Sequence, residues 1–221
     1  MNIAVYSGSF NPLHIGHLAI VKHMLEVADF DMVYLIVSPK NPLKDSISSD
    51  SARDRFNAAV SAVHRHFASK SEVAECVDDM PPPARGCLTE GKTGVVGTSA
   101  TSDFPKVIVD DIELTMPQPH YTIRTLDALR EREPQNSFTF VMGADSLADI
   151  RRWKDYTRIL KEFGVAVFPR IGHNLEAIRT DLLKEDQTYK ITILKAEMVD
   201  ISSTTIREAI ASGKDISNLL M

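Results

Sequence analysis

Two histidines near the start of the chain, His14 and His17, have a spacing that suggests a chemical task. They follow an apolar run at 3–6, a glycine at position 8 and the dipeptide Asn11-Pro12. A glycine allows a positive φ or a close approach of the backbone to a ligand, and a proline biases the preceding residue away from helix. From about Leu13 apolar residues recur at helical spacing, so the sequence predicts both histidines on one face of the first turn of a helix.

The first turn of a helix has unsatisfied backbone N–H groups and the positive end of the helix dipole, so it attracts anions. Imidazoles at that place can donate hydrogen bonds to phosphate oxygens without acting as bases. We therefore predict a site for a nucleoside triphosphate. The segment has neither a Walker loop nor the spacing Gly-x-Gly-x-x-Gly. Helix capping or a chance metal site is the alternative interpretation of the two histidines.

A second candidate anion site lies near the other end of the chain, at 201–207. Four hydroxyl residues, Ser202 to Thr205, are placed to open a helix, and Arg207 follows within the first turn. Backbone amides, hydroxyls and an arginine together suit a phosphate group. A plain serine N-cap and a surface arginine would explain part of the pattern.

The composition restricts the class of protein. The 221 residues are 43% hydrophobic and carry a net charge of −5, which suits one folded domain over 1–221 and argues against a nucleic-acid surface. No signal peptide or membrane-spanning apolar run is evident, so we expect a cytoplasmic protein without a membrane partner. Cys76 and Cys87 are too few for a disulfide framework, and we predict no metal-ligating residues. The sequence leaves open whether the protein forms a homo-oligomer.

Strand and helix patterns alternate along the chain, and they must position these residues. Continuous apolar runs such as 32–37 and 165–168 are typical of strands buried on both faces of a parallel sheet. The pattern predicts an α/β fold with a doubly wound, mostly parallel sheet whose ligands lie at the carboxyl ends of the strands. The segment 69–106 lacks periodicity and contains three consecutive prolines, so we interpret it as a loop insertion. A tolerated surface insertion is favoured over a lid or a partner-binding role.

The segment 8–17 resembles the signature Gly-x-Phe-x-Pro-x-His-x-Gly-His of the nucleotidylyltransferase superfamily, and 201–207 is similar to its second signature, Ile-Ser-Ser-Thr-x-Ile-Arg. The resemblance implies a Rossmann-like nucleotidylyltransferase fold that binds ATP. The residues it assigns to ATP binding are Gly8, Ser9, Phe10, His17, Ile201, Ser202, Ser203, Thr204 and Arg207. The residues it assigns to catalysis are His14, His17, Lys44 and Arg207.

Two internal segments resemble the bacterial nicotinate mononucleotide adenylyltransferases of that superfamily. They are 119–126, similar to Pro-Ser-Tyr-Thr-x-x-Thr-Leu, and 143–147 followed by a tryptophan. The substrate-binding residues that this likeness implies are Thr122, Gly143, Asp145, Trp153, Lys154 and Arg170. Tryptophan offers a flat surface to a pyridine ring, a threonine and nearby amides can bind its carboxylate, and an aspartate can accept from ribose hydroxyls. The alternatives are a tryptophan in the core, an aspartate that caps a helix and an arginine on the surface.

The chain departs from the family pattern at two places. Leu43 stands where the family has a histidine, although Lys44 beside it is retained, and His120 replaces a serine. Arg53 occupies the position of the family's arginine at the start of the next helix.

The reaction that the resemblance implies is transfer of AMP from ATP to nicotinate mononucleotide, with Mg²⁺ accompanying ATP. The acceptor's phosphate oxygen is already anionic, so catalysis requires positioning and charge stabilisation and no general base. The alternatives are another acceptor, phosphopantetheine or nicotinamide mononucleotide, and a regulatory module that binds nucleotide without turnover.

Overall fold

Parallel strands form one sheet at the centre of the molecule. The computed structural model describes residues 1–39, 51–67, 106–196 and Ser212. Within them the strands are β1 (Asn2–Gly8), β2 (Met32–Val37), β3 (Val107–Asp110), β4 (Ser137–Gly143), β5 (Val165–Phe168) and β6 (Ile191–Ile193). All pairs are parallel, in the order β3-β2-β1-β4-β5-β6. The predicted doubly wound, Rossmann-like α/β fold is confirmed, and its strand order reverses between β1 and β4, where such sheets bind ligands.

Helices connect successive strands. They are α1 (Ile15–Glu26), α2 (Ala52–Phe67), α3 (Ile112–Thr115), α4 (Thr122–Arg132), α5 (Ala144–Ala148), α6 (Tyr156–Arg158) and α7 (Leu175–Glu185). A 3₁₀ turn (Ile150–Arg152) precedes α6, and a π-helical turn (Ile159–Phe163) follows it. The predicted helix that opens at Ser202, and the insertion predicted at 69–106 apart from Lys106, lie outside the described residues.

Each face of the sheet is covered by its own apolar core. Successive side chains of a strand point to opposite faces, so Ile3 packs with α4, α5 and α7, whereas Ala4 packs with α1 and α2. Every residue of β2 is buried, as its continuous apolar sequence predicts. Among the described residues, no helix combines the length and apolarity that crossing a membrane would require.

Helix α1 begins two residues later than its apolar pattern predicts. Leu13 is 6% exposed and packs in the core beneath α1 and α2, and His14 has the extended backbone φ −142°, ψ 169° of an N-cap residue. His14 therefore precedes the helix, and His17 is its third residue. His14 caps the helix and does not lie within its first turn as predicted, while the predicted contact between the two histidines is retained, with 3.7 Å between the ring centroids.

Candidate active site

The loop between β1 and α1 is shaped by a glycine next to a buried aromatic ring. A Cβ atom added at Gly8 would lie 3.1 Å from Cε1 of Phe10, so the ring would have to move by a few tenths of an ångström to accept it. The positive φ belongs instead to Phe10, whose φ of 43° is unfavourable for a residue with a Cβ. The Phe10 ring is 3% exposed and packs edge-on against Tyr6 with 5.5 Å between centroids. Of Phe10, a predicted ATP-binding residue, only the backbone can therefore face a ligand.

The two histidines lie against each other above this ring. The His17 ring packs edge-on against Phe10 at 5.2 Å, and the His14 and His17 ring centroids are 3.7 Å apart. Nδ1 of His17 accepts a hydrogen bond from the backbone N–H of His14 at 3.2 Å. A neutral imidazole that accepts through Nδ1 has its proton on Nε2. His17 is thus fixed as an Nε2–H donor.

Burial determines the charge of this pair. It lowers the pKa of His14 to about 4. Burial, with a smaller contribution from the neighbouring His14, lowers the pKa of His17 to about 3. Both rings are neutral at pH 7, and neither has a pKa near the pH at which a general base works best. The geometry therefore supports the prediction that the histidines act as hydrogen-bond donors.

The N-terminus of α1 presents backbone amides beside the histidines. Its first turn contains no aspartate or glutamate, and within the described chain the amides of Ile15 and Gly16 donate to no acceptor. The amides of His17 and Leu18 both donate to the His14 carbonyl. These two N–H groups, of the partly exposed Ile15 and the buried Gly16, and the positive end of the dipole therefore lie beside the histidines, at the carboxyl end of β1.

A buried arginine that the sequence did not single out fixes this loop. Arg55, in α2, is 5% exposed. Its guanidinium donates to the carbonyl of Ser9, and at 2.9 Å each to those of Ser38 and Pro39. It therefore joins the loop after β1 to the chain after β2. Arg53 is the arginine that matches the family pattern in the sequence. Its side chain is 54% exposed and pairs with Asp111 at 3.1 Å.

The carboxyl end of β4 contributes the second half of the site. Asp145 lies in the first turn of α5, and its side chain is 50% exposed. Arg170, in the loop after β5, pairs with Oδ2 of Asp145, and Nε2 of His173 lies 2.7 Å from Oδ1. Gly143 is exposed, and a Cβ there would contact nothing within 4 Å. The structure therefore brings Asp145 and Arg170 into direct contact and adds His173, which sequence analysis missed.

Trp153 lies between the core and the surface. Its ring packs edge-on against Phe140, with centroids 5.8 Å apart, and the side chain is partly buried. The Trp153 amide donates to the carbonyl of Ile150 at 2.9 Å, whereas the Lys154 amide has no acceptor within the described chain. The Lys154 side chain is 58% exposed and lies 3.6 Å from Asp155. The Trp153 amide is therefore already used within the chain, whereas that of Lys154 can still donate to a carboxylate.

Thr122 is the first residue of α4 and is partly exposed. A connecting helix runs back against its strands, so its N-terminus lies at their carboxyl edge, the edge where β1 and β4 end. The remaining predicted site residues lie outside the described residues: Lys44, Ile201, Ser202, Ser203, Thr204 and Arg207. Within the described part, no three residues of the types His, Cys, Asp and Glu cluster as metal ligands would.

Known proteins resemble the chain over nearly its whole length. The model of the cytidylyltransferase-like family matches residues 5–209. A relative from Flavobacterium psychrophilum, named "Probable nicotinate-nucleotide adenylyltransferase", is 36% identical over 220 residues, which are 100% of this chain and 92% of that protein. A relative of the same name from Flavobacterium johnsoniae is 35% identical with the same coverage.

Solved structures share the fold. The nicotinic acid mononucleotide adenylyltransferase of Plasmodium falciparum, complexed with NaAD, superposes with a TM-score of 0.65 at 18% identity, over 98% of this chain and 87% of that one. The two sequence signatures, the order of the strands in the sheet and the relatives that match over nearly their full length all indicate the same family. The chain therefore belongs to the cytidylyltransferase-like family, and within it to the nicotinate-nucleotide adenylyltransferases.

Proposed function

We propose that the chain transfers AMP from ATP to nicotinate mononucleotide, releasing pyrophosphate and forming nicotinate adenine dinucleotide. The observation that carries this proposal is the fixed Nε2–H donor of His17 beside free amides of α1, at the strand-order reversal. Relatives of matching length carry the name of this activity.

The two sides of the reversal suit the two substrates. ATP phosphates would lie against the amides of α1 and the His17 donor, whose neutral ring is compatible with a bound anion. The mononucleotide would lie at the end of β4, with its ribose hydroxyls on Asp145 and its pyridine ring near Trp153. In this arrangement ATP and the mononucleotide bind to different residues, on opposite sides of the strand-order reversal.

The chemistry of the step matches the donors present. An oxygen of the mononucleotide phosphate attacks the α-phosphorus of ATP, the bond from that phosphorus to the bridging oxygen breaks, and pyrophosphate leaves. The attacking oxygen is already anionic, so no proton has to be removed. Charge that develops on the phosphoryl oxygens is stabilised by fixed donors, of which His17 is the best placed among the described residues.

We infer that the nucleotide substrate is the Mg²⁺ complex of ATP. Mg²⁺ prefers oxygen ligands and is usually held by substrate phosphates, with few protein ligands. The neutral histidines can donate hydrogen bonds from a ring N–H to the phosphate oxygens. Mg²⁺ would then be bound by phosphate oxygens and not by the histidines.

Pyrophosphate release with different acceptors tests the proposal. The purified chain is incubated with Mg-ATP and, separately, nicotinate mononucleotide, nicotinamide mononucleotide or phosphopantetheine. We expect release with nicotinate mononucleotide at the highest kcat/KM. A better rate with another acceptor would assign a different transferase, and no release with any of them would refute an enzymatic role.

A further inference from the structure

The peptide unit between Ser9 and Phe10 has an unusual conformation. The unit is trans, and Phe10 has φ 43° although its side chain carries a Cβ. In a trans peptide the C=O and N–H groups point in opposite directions. Within the described chain the Phe10 amide donates to no acceptor, whereas the Ser9 carbonyl accepts from the buried Arg55. One side of this peptide is therefore held by the protein, and the N–H on its other side is available to a ligand.

The position of Arg55 gives this peptide its direction. Nη1 of Arg55 donates to the carbonyls of Ser9 and Ser38, and Nη2 donates to that of Pro39. Ser38 and Pro39 follow β2, which lies next to β1 on one side, while β4 lies next to β1 on the other. The guanidinium thus lies on the β2 side of the loop. The Phe10 N–H points away from it, towards the strand-order reversal between β1 and β4.

The backbone alone would favour the opposite orientation. Rotation of the Ser9–Phe10 peptide by about 180° would bring φ of Phe10 into the negative region that residues with a Cβ prefer. The rotated peptide would direct its N–H at the Arg55 guanidinium, which has only donors and no acceptor. A buried donor without its acceptor is costly, so Arg55 opposes the rotation.

The orientation of this peptide decides whether the loop attracts or repels an anion. The Phe10 ring packs against that of His17, in the first turn of α1, so the loop borders the amides of Ile15 and Gly16. With its N–H outward, the peptide adds a further backbone donor to these amides, an arrangement that suits an anion. With its carbonyl outward, the same peptide would place a partial negative charge beside them.

We propose that Arg55 is a positioning residue for the loop between β1 and α1: it holds the Ser9–Phe10 peptide with its N–H, and not its carbonyl, facing an anion at the N-terminus of α1. The inference rests on the proposed function, because the anion is a phosphate of ATP. Arg55 is itself 5% exposed and acts from behind the loop, through the backbone.

Selective isotope labelling reports on this one peptide. With ¹³C at serine carbonyls and ¹⁵N at phenylalanine amides, only a Phe that follows a Ser gives a doubly labelled signal, and the sequence contains two such pairs, Ser9-Phe10 and Ser137-Phe138. Ser9→Ala identifies the Phe10 signal by removing it. In the wild type we expect Mg-ATP, added without an acceptor, to shift the Phe10 signal. The Phe138 signal, from the buried part of β4, should stay unchanged.

Three variants of α2 test the role of the arginine. In Arg55→Met we expect the Phe10 signal to move and to stop responding to Mg-ATP. The dissociation constant for Mg-ATP, measured by calorimetry, should rise about 10- to 100-fold, the effect of losing one donor to a charged group. Arg55→Lys keeps three N–H donors and should restore part of the affinity. Arg65→Met, which replaces an exposed arginine of the same helix, is the matched control and should bind as wild type.

Circular dichroism shows whether each variant is folded at the temperature of the measurements. Wild-type affinity in folded Arg55→Met would overturn the proposal, as would a Phe10 signal that keeps its position and its response in that variant. If Arg55→Met does not fold, Arg55→Lys decides, since an unaltered Phe10 signal with wild-type affinity would overturn the proposal. An affinity of folded Arg55→Lys no higher than that of folded Arg55→Met would also contradict it.

The proposed function can fail separately. A wild type that binds Mg-ATP with the expected Phe10 shift, and releases no pyrophosphate with any acceptor, would refute the enzymatic role and leave the role of Arg55 supported. Absence of Mg-ATP binding by the wild type would overturn both.

Discussion

Replacement of His17 by alanine tests the proposed chemistry most directly. The side chain is held by contact with Phe10 and His14 and by the hydrogen bond to its Nδ1, so its Nε2–H is oriented before ATP binds. Removing one preorganised donor to a developing charge costs about 10² to 10³ in kcat. We therefore expect His17→Ala to lower kcat at least about 100-fold, measured as pyrophosphate release at saturating substrates.

The same substitution should have a small effect on folding. It removes the acceptor of one backbone N–H, a loss of about 1 kcal/mol, which lowers the Tm of a chain of this length by about 2–4 °C. His64→Ala, which removes an exposed histidine of α2, is the control and should change neither quantity. A near-normal kcat in folded His17→Ala would refute the donor role. An inflection in wild-type kcat near pH 6–7 that disappears in the variant would show that His17 titrates in that range and acts as a base, contrary to its lowered pKa and to its role as a donor.

Three further predictions concern stability. Because the folded pKa of His14, about 4, and of His17, about 3, lie below the value of about 6.5 in an unfolded chain, the unfolded state binds more protons as the pH falls. The wild type should therefore lose stability from about pH 6.5 down to about pH 4 through His14 and about pH 3 through His17, by about 2 kcal/mol per histidine at pH 5, and His17→Ala should show a shallower loss in urea titrations at pH 7 and 5. Arg55→Met leaves three carbonyls without their donor and should cost about 2–4 kcal/mol in the same titrations, whereas Arg53→Met, at an exposed ion pair, should cost less than about 1 kcal/mol. Gly164→Ala should lower the free energy of unfolding by about 1–3 kcal/mol, because its φ is +83° and a Cβ would come within 2.9 Å of the residue before β6; an unchanged urea midpoint would contradict this.

The elements were predictable where one local pattern determines them. The continuous apolar sequence of β2 predicts a strand buried on both faces, and it is one. A serine directly before a helical pattern is typical of an N-cap, and the Oγ of Ser51 accepts from the Asp54 amide at 3.0 Å before α2 begins at Ala52. These predictions depend on neighbours along the chain, which the sequence displays directly.

Features that depend on distant contacts were not predictable. Arg53 and Arg55 lie on the same helix, and only the position of α2 against the sheet decides that Arg55 points at the loops after β1 and β2. His173 is 28 residues from Asp145 in the chain, so no local spacing relates them. A signal did exist, since a glycine between Arg170 and His173 indicates a tight turn, but its direction depends on how β5 pairs with β4.

The first turn of α1, which has no acidic residue, also has a thermodynamic consequence. In the proposed function a phosphate of ATP completes this helix end, so ligand binding and folding become linked. At an ATP concentration about 100 times its dissociation constant, binding would add about 2.7 kcal/mol to the free energy of unfolding. The resistance of this protein to heat and to proteases should therefore follow the ATP concentration around it, and preparations freed of nucleotide should be its most fragile form.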